Sequence, residues 1–210
     1  MVCSHRNVTW PQGGWQKCLD CAARRKYEQI GFAPGPWITK PEILMTPHSE
    51  LLLSKVHPVL AARIQAIASN LASHGITIVV VQGLRTVEEQ DALYAKGRTT
   101  PGKIVTNAKG GQSWHNYGLA VDCAPENPDA SIDWNASHPQ WKAMEKAGVD
   151  MGLTSGANWV RFVDAPHFQM TGDFPENAPD DRAKELLASG GLDAVWNAII
   201  PLVDVPSVDV

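Results

Sequence analysis

The segment Ser113-Trp114-His115-Asn116-Tyr117-Gly118-Leu119-Ala120-Val121-Asp122 places an imidazole and a carboxylate seven positions apart with a glycine between them. On one continuous helix these groups would be separated by about 10 Å of rise, too far for two donors that must each lie about 2 Å from a shared ion. A turn at Gly118 removes that restriction, because Leu119 to Asp122 can then form a short strand that carries the carboxylate back toward the histidine. In such a strand Asp122 shares a face with Ala120, whose small side chain leaves room for an ion, while Leu119 and Val121 point to the core. The spacing is compatible with chelation. It is equally compatible with a hydrogen-bonding histidine and a capping aspartate.

A second segment, Asp164-Ala165-Pro166-His167-Phe168-Gln169, has related chemistry. Pro166 biases Ala165 toward extended backbone, so Asp164 belongs to a loop entering a strand that starts near His167, and His167 and Gln169 share one face. Two histidines and one carboxylate would leave the fourth position of a zinc ion open to water, as in catalytic rather than structural sites. A carboxylate three residues before the last ligand could take the proton of that water.

Around these segments the pattern is that of an α+β domain. From Ser49, the apolar residues Leu52, Val56, Val59, Leu60, Ile64, Ile67 and Leu71 recur every three or four positions, predicting an amphipathic helix interrupted at Pro58 and stopped by Gly75. Ile76 to Val81 reads as a buried strand, and Thr86 with Glu89 has the spacing of a capping box opening a helix that stops at Gly97. Residues 98–112 form a long loop. Pro139 starts a helix with Trp141, Met144, Gly148 and Met151 on one face, and Asp180 to Ile200 reads as helix broken at Gly190-Gly191. Cys123 is expected to be a core residue facing away from the metal. His48, His57, His74 and His138 are expected to be surface or capping groups, and Trp114 and Trp159 to wall the cleft. The net charge of −4 provides no basic footprint for nucleic acid, and no apolar run reaches membrane-spanning length.

The ordered set Ser113-x-His115-x-x-Gly118-x-Ala120-x-Asp122, then Asp164-x-Pro166-His167-Phe168, resembles the signature of the LAS-type zinc peptidases. That group comprises bacterial D-Ala-D-Ala carboxypeptidases and dipeptidases and phage L-alanyl-D-glutamate endopeptidases. The likeness extends back through Gln82-Gly83-Leu84-Arg85-Thr86, Glu89-Gln90, Leu93-Tyr94 and Gly97-Arg98, covering roughly residues 49–172. It implies a small antiparallel sheet with flanking helices around a catalytic zinc bound by His115, Asp122 and His167. Asp164 would be the general base and acid, and Arg85 would hold substrate or the polarised carbonyl oxygen unless it serves only a structural salt bridge. Ser113 and Gln169 would contact the ligands or the substrate.

Gln169, where the carboxypeptidase branch more often has Glu, favours the endopeptidase branch of endolysins and autolysins. The expected activity is therefore cleavage of the L-Ala–D-Glu bond of bacterial peptidoglycan, with a D-Ala-D-Ala carboxypeptidase as the alternative. The hedgehog signalling domain, a binding module of similar fold, is the reading from another class, and the presence of Asp164 argues against it. The amino terminus shows no secretory h-region, so the expectation is a monomer made in the cytoplasm and released to the wall through a holin.

Residues 1–33 differ from the rest. Cys3, His5, Cys18 and Cys21 provide four zinc-type donors, suggesting a small zinc-finger-like element with a second, structural Zn2+. The expected organisation is this element, a catalytic domain over 34–175, and a helical extension over 176–210.

Overall fold

Proline and its preceding residues divide the first apolar stretch into two helices. In the computed structural model, which describes residues 45–199 together with two short antiparallel strands, β1 (Trp15–Lys17) and β2 (Arg24–Lys26), the helices are α1 (Pro47–Leu53) and α2 (Pro58–Ala72). The proposed ligands Cys3, His5, Cys18 and Cys21 lie outside the described residues. Each helix has Pro in its first turn, where the missing N–H has no intrahelical acceptor to lose. Thr46 caps α1, and Nδ1 of His57 accepts the Val59 N–H at 3.1 Å to cap α2. Leu60, Ile64, Ile67 and Leu71 form the buried stripe of α2 that the spacing predicts. At roughly 1.5–3 kcal/mol per fully buried side chain, this stripe is a main source of the helix's stability.

The chain then runs through β3 (Thr77–Gln82), α3 (Val87–Ala95), β4 (Ala120–Glu126), α4 (Pro139–Asp150), β5 (Thr154–Ser155), β6 (His167–Gln169) and α5 (Asp181–Ala198). Four strands make one antiparallel sheet in the order β3-β4-β6-β5, with flanking helices, so the α+β expectation holds. Ser49 Oγ on α1 accepts the Val80 N–H at 3.0 Å, tying that helix to the edge strand β3. On α4, Trp141, Met144 and Gly148 face inward, and a side chain at Gly148 would collide with the ring of Phe168 on β6.

Thr86 and Glu89 form the reciprocal capping box, Glu89 N to Thr86 Oγ1 at 3.1 Å and Thr86 N to Glu89 Oε2 at 2.8 Å. The helix ends at Ala95, two residues before Gly97, which takes a left-handed turn at φ +71°. The following loop is held by Arg98, whose Nη1 donates to the carbonyls of Tyr94 and Thr106 and whose Nη2 donates to Asn107 Oδ1. At the other end of the chain α5 bends at Gly191 (φ 67°, ψ −159°), where the glycine pair predicted a break. Beyond the bend, Trp196 Nε1 donates to the Tyr117 carbonyl at 2.8 Å. Among the described residues no helix is long and apolar enough to cross a membrane.

Candidate metal centre and active site

Asp122 and His167 are directly opposite one another on the antiparallel strands β4 and β6, so their side chains leave the same face of the sheet. His115 reaches them from a 3-10 helix, Trp114–Tyr117, that ends at Gly118 with φ 64° and ψ 25°. This left-handed turn lets the chain reverse into β4, because glycine adopts it without the steric cost of a Cβ. The sheet and turn thus bring together three groups that the sequence places across 53 positions.

Their donor atoms form a nearly equilateral triangle. His115 Nε2 lies 3.2 Å from His167 Nδ1 and 3.2 Å from Asp122 Oδ1, and His167 Nδ1 lies 3.3 Å from the same oxygen. Donors about 2.0–2.1 Å from a tetrahedral ion stand about 3.3 Å apart, so the triangle has the dimensions of three corners of such a site.

The outer hydrogen bonds define what these atoms offer. His115 Nδ1 donates to the Gly83 carbonyl at 2.9 Å, and His167 Nε2 donates to Gln169 Oε1 at 3.0 Å, leaving lone pairs on both inner nitrogens of the neutral rings. Asp122 Oδ1 is buried without a hydrogen-bond partner. Three electron-pair donors converging without a proton between them repel one another, and a cation relieves that repulsion. Burial pushes the Asp122 carboxyl upward in pKa, but a proton carried on His115 or His167, standing where a metal cation would, outweighs it and holds the group well below the usual carboxylate range. Cys123, the next residue, is fully buried on the opposite face, and burial raises its thiol pKa.

Arg85 occupies the turn between β3 and α3. Its Nη2 lies 3.5 Å from Asp122 Oδ2 and its Nη1 donates to Gln90 Oε1 at 2.7 Å, while its backbone N–H donates to the His115 carbonyl at 3.0 Å. Asp164 lines the same cleft. Its N–H donates to the Gly156 carbonyl at 2.9 Å and its carbonyl accepts the His167 N–H at 3.1 Å. A Cβ on Gly156 would meet the Asp164 carbonyl at 2.5 Å, so only glycine permits this close approach. Burial and then the charge of Asp122 raise the Asp164 pKa above its ordinary value, opposed by His167, His115 and Arg85.

Ser113 caps the 3-10 helix that carries His115, accepting the His115 N–H at 3.4 Å, and lines the cleft. Gln169 is buried; its Nε2 donates to the Glu176 carbonyl at 2.6 Å, which fixes its oxygen toward His167. Trp159 lines the cleft and packs against the His167 ring, with centroids 4.9 Å apart. Trp114 also borders the cleft but is largely buried, and its Nε1 donates to the Glu176 carbonyl at 3.2 Å.

Two positioning groups escape the reading of the ligand spacing alone. Asn116 Nδ2 donates to the carbonyls of Arg85 and Thr86 at 2.9 and 3.0 Å, and its Oδ1 accepts the Gly111 N–H at 3.0 Å. Gln90, fully buried, joins Arg85 to the loop by donating to Thr106 Oγ1 and the Ala108 carbonyl. Asn116 occupies an unspecified position of the signature; Gln90 falls within the matched stretch, but without a role.

Known proteins place this geometry in context. The chain is 39% identical over 124 residues to peptidoglycan L-alanyl-D-glutamate endopeptidase CwlK of Bacillus subtilis (strain 168), covering 56% of this chain and 74% of that protein. The chain belongs to the M15 peptidase family. A model of that family described as D-alanyl-D-alanine carboxypeptidase matches residues 106–170, the segment that carries all three donors and Asp164. The crystal structure of Serratia marcescens L-Ala D-Glu endopeptidase ChiX is 26% identical, with a TM-score of 0.45, and the match covers 60% of this chain and 89% of that one. M15 peptidases are metallopeptidases, and among the described residues His115, Asp122 and His167 are the group of donors close enough to hold a metal ion.

Proposed function

We propose that this chain is a zinc endopeptidase that hydrolyses the L-Ala–D-Glu bond in the stem peptides of bacterial peptidoglycan. The observation that carries this reading is the complete donor triangle of His115, Asp122 and His167 in one cleft with Asp164, in a chain 39% identical to a relative named for that activity. Gln169 supports the same branch over a carboxypeptidase.

His115 Nε2, His167 Nδ1 and a carboxylate oxygen of Asp122 would hold the ion. A bound zinc supplies Lewis-acid polarisation of the scissile carbonyl and acidifies an attacking water. Asp164 accepts the proton of that water and delivers it to the departing amine, a two-way role favoured by a carboxyl pKa raised toward working pH. Arg85, oriented by Gln90 and Asp122, places its positive charge where the carbonyl oxygen becomes negative. Trp159 forms an apolar wall of the cleft beside His167 and limits the access of bulk water.

Digestion of purified peptidoglycan by the zinc-loaded full chain, followed by mass spectrometry, tests the assignment. New amino-terminal D-Glu is the expected product. Release of terminal D-Ala would instead establish the carboxypeptidase, the activity after which the matching family model is described. The absence of any zinc-dependent product would overturn both.

A further inference from the structure

The cleft, of about 720 Å³, extends beyond the donor triangle to the start of α5, where Asn177, Ala178, Pro179 and Lys184 line it. Its lining contains two carboxylates, Asp122 and Asp164, and two cations, Arg85 and Lys184. Arg85 is already engaged by Asp122 and Gln90. Lys184 is not tied to the site in this way. Its Nζ lies 3.0 Å from Asp181 Oδ1, one helical turn away on the same surface, and the Asp181 side chain is 92% exposed. An i,i+3 pair this open to water is weak and screened by salt, so a ligand anion can displace it.

The base of the lysine, in contrast, is fixed. Asp180 caps α5 by accepting the Ala183 N–H at 2.9 Å, Ala183 is fully buried, and the Lys184 N–H donates to the Asp180 carbonyl at 3.1 Å. A long side chain with an anchored backbone and a solvated ammonium can reach an anion without rearranging the fold.

We propose that Lys184 is a specificity-determining residue that binds a free carboxylate on the substrate beside the scissile bond. This rests on the L-Ala–D-Glu reading and names the group recognised. When a stem continues through the γ-carboxyl of D-Glu, the α-carboxylate is attached to the carbon that bears the scissile nitrogen. An anion there approaches Asp164 and Asp122, and a cation at the cleft wall offsets the repulsion. A stem in which that carboxylate is a carboxamide lacks the charge. Lys184 also lies outside the family-matched segment 106–170, so this recognition is built on a different part of the chain from the ligands.

The test uses the full zinc-loaded chain with two synthetic stem peptides that differ only in D-Glu versus D-isoglutamine after L-Ala. The wild type is expected to favour the carboxylate peptide by roughly tenfold in kcat/KM, chiefly through KM, with the preference shrinking as salt rises. Lys184→Gln brings the ratio of the two kcat/KM values near one, whereas Lys184→Arg preserves it. An unchanged ratio in Lys184→Gln, or a wild type without preference, overturns the assignment. Product masses separate this result from failure of the underlying reading: if neither peptide is cut between L-Ala and the next residue, the endopeptidase assignment falls and the role of Lys184 falls with it.

Discussion

Gln169 Oε1 accepts the Nε2–H of His167 at 3.0 Å, and Gln169 Nε2 donates to the Glu176 carbonyl at 2.6 Å. This relay determines which His167 nitrogen faces Asp122 and His115 with a lone pair. Gln169→Leu removes the acceptor and frees the ring to adopt the other tautomer or rotate. Zinc affinity should fall roughly 10- to 100-fold, the usual effect of losing such an outer partner. Competition with a chromophoric chelator measures it directly, and an unaltered affinity would show that packing alone orients the ring.

Asp164→Ala should separate metal binding from turnover. All three donors stay in place, so the variant should retain zinc while kcat drops by about 10²–10⁴, the typical contribution of a general acid–base group. Metal content by elemental analysis and kcat on a stem peptide provide the two readings. Loss of both would mean that Asp164 holds the loop around Gly156 and His167 rather than moving a proton.

Gly118→Ala tests the turn between His115 and Asp122. A Cβ there would require a left-handed conformation and would meet the Trp196 ring at 2.9 Å. The expected cost is about 2 kcal/mol or more, seen as a lower urea midpoint, and it should be accompanied by weaker zinc binding because the turn connects two ligands. Trp196→Ala in the Gly118→Ala background should recover part of the steric cost but not the backbone strain.

His57 gives a pH dependence whose sign follows from its surroundings. Burial lowers its pKa from 6.5 to about 4, with the Trp196 backbone opposing and Arg63 reinforcing the shift. Between those values the unfolded chain binds a proton that the folded protein excludes, so this contribution is at its most favourable above about pH 6.5 and stability falls as pH drops toward 4. The loss over the window is about 3 kcal/mol. His57→Asn keeps an acceptor for the Val59 N–H and removes the titration, so the difference in unfolding free energy between pH 7.5 and 4.5 should be smaller in the variant than in the wild type.

Removal of metal should destabilise the protein as well as silence it. The donors repel one another without a cation, and binding to the folded state alone adds about 4 kcal/mol at a thousandfold excess over Kd. A chelator should therefore lower Tm by about 10 °C, and zinc should restore it. Elemental analysis of the full chain also counts ions: one per chain accords with the His115 site, and two accord with an additional site at Cys3, His5, Cys18 and Cys21.

Much of this architecture was legible because it is local. The capping box of Thr86 and Glu89, the apolar stripe of α2 and the bend at Gly191 each arise from residues within a few positions of one another. The division of the first helical stretch at Pro58 was likewise visible, since proline removes a donor wherever it occurs. The residues of the site were legible as an ordered signature, but their spacing left chelation and ordinary capping equally open.

Tertiary structure brings the candidate donors together. Only the pairing of β4 with β6 sets Asp122 opposite His167, and only the Gly118 turn brings His115 within 3.2 Å of both. Gly83, Gln169 and Glu176 then dictate which nitrogens carry protons, a matter of partners up to 32 positions distant. The arrival of Lys184 at the cleft and of Trp196 behind Gly118 depends on how α5 folds back on the sheet domain. The sequence by itself determined which elements form and which donor types are available. Hydrogen bonding and packing between distant segments decided their distances, and coordination and proton transfer depend on distance.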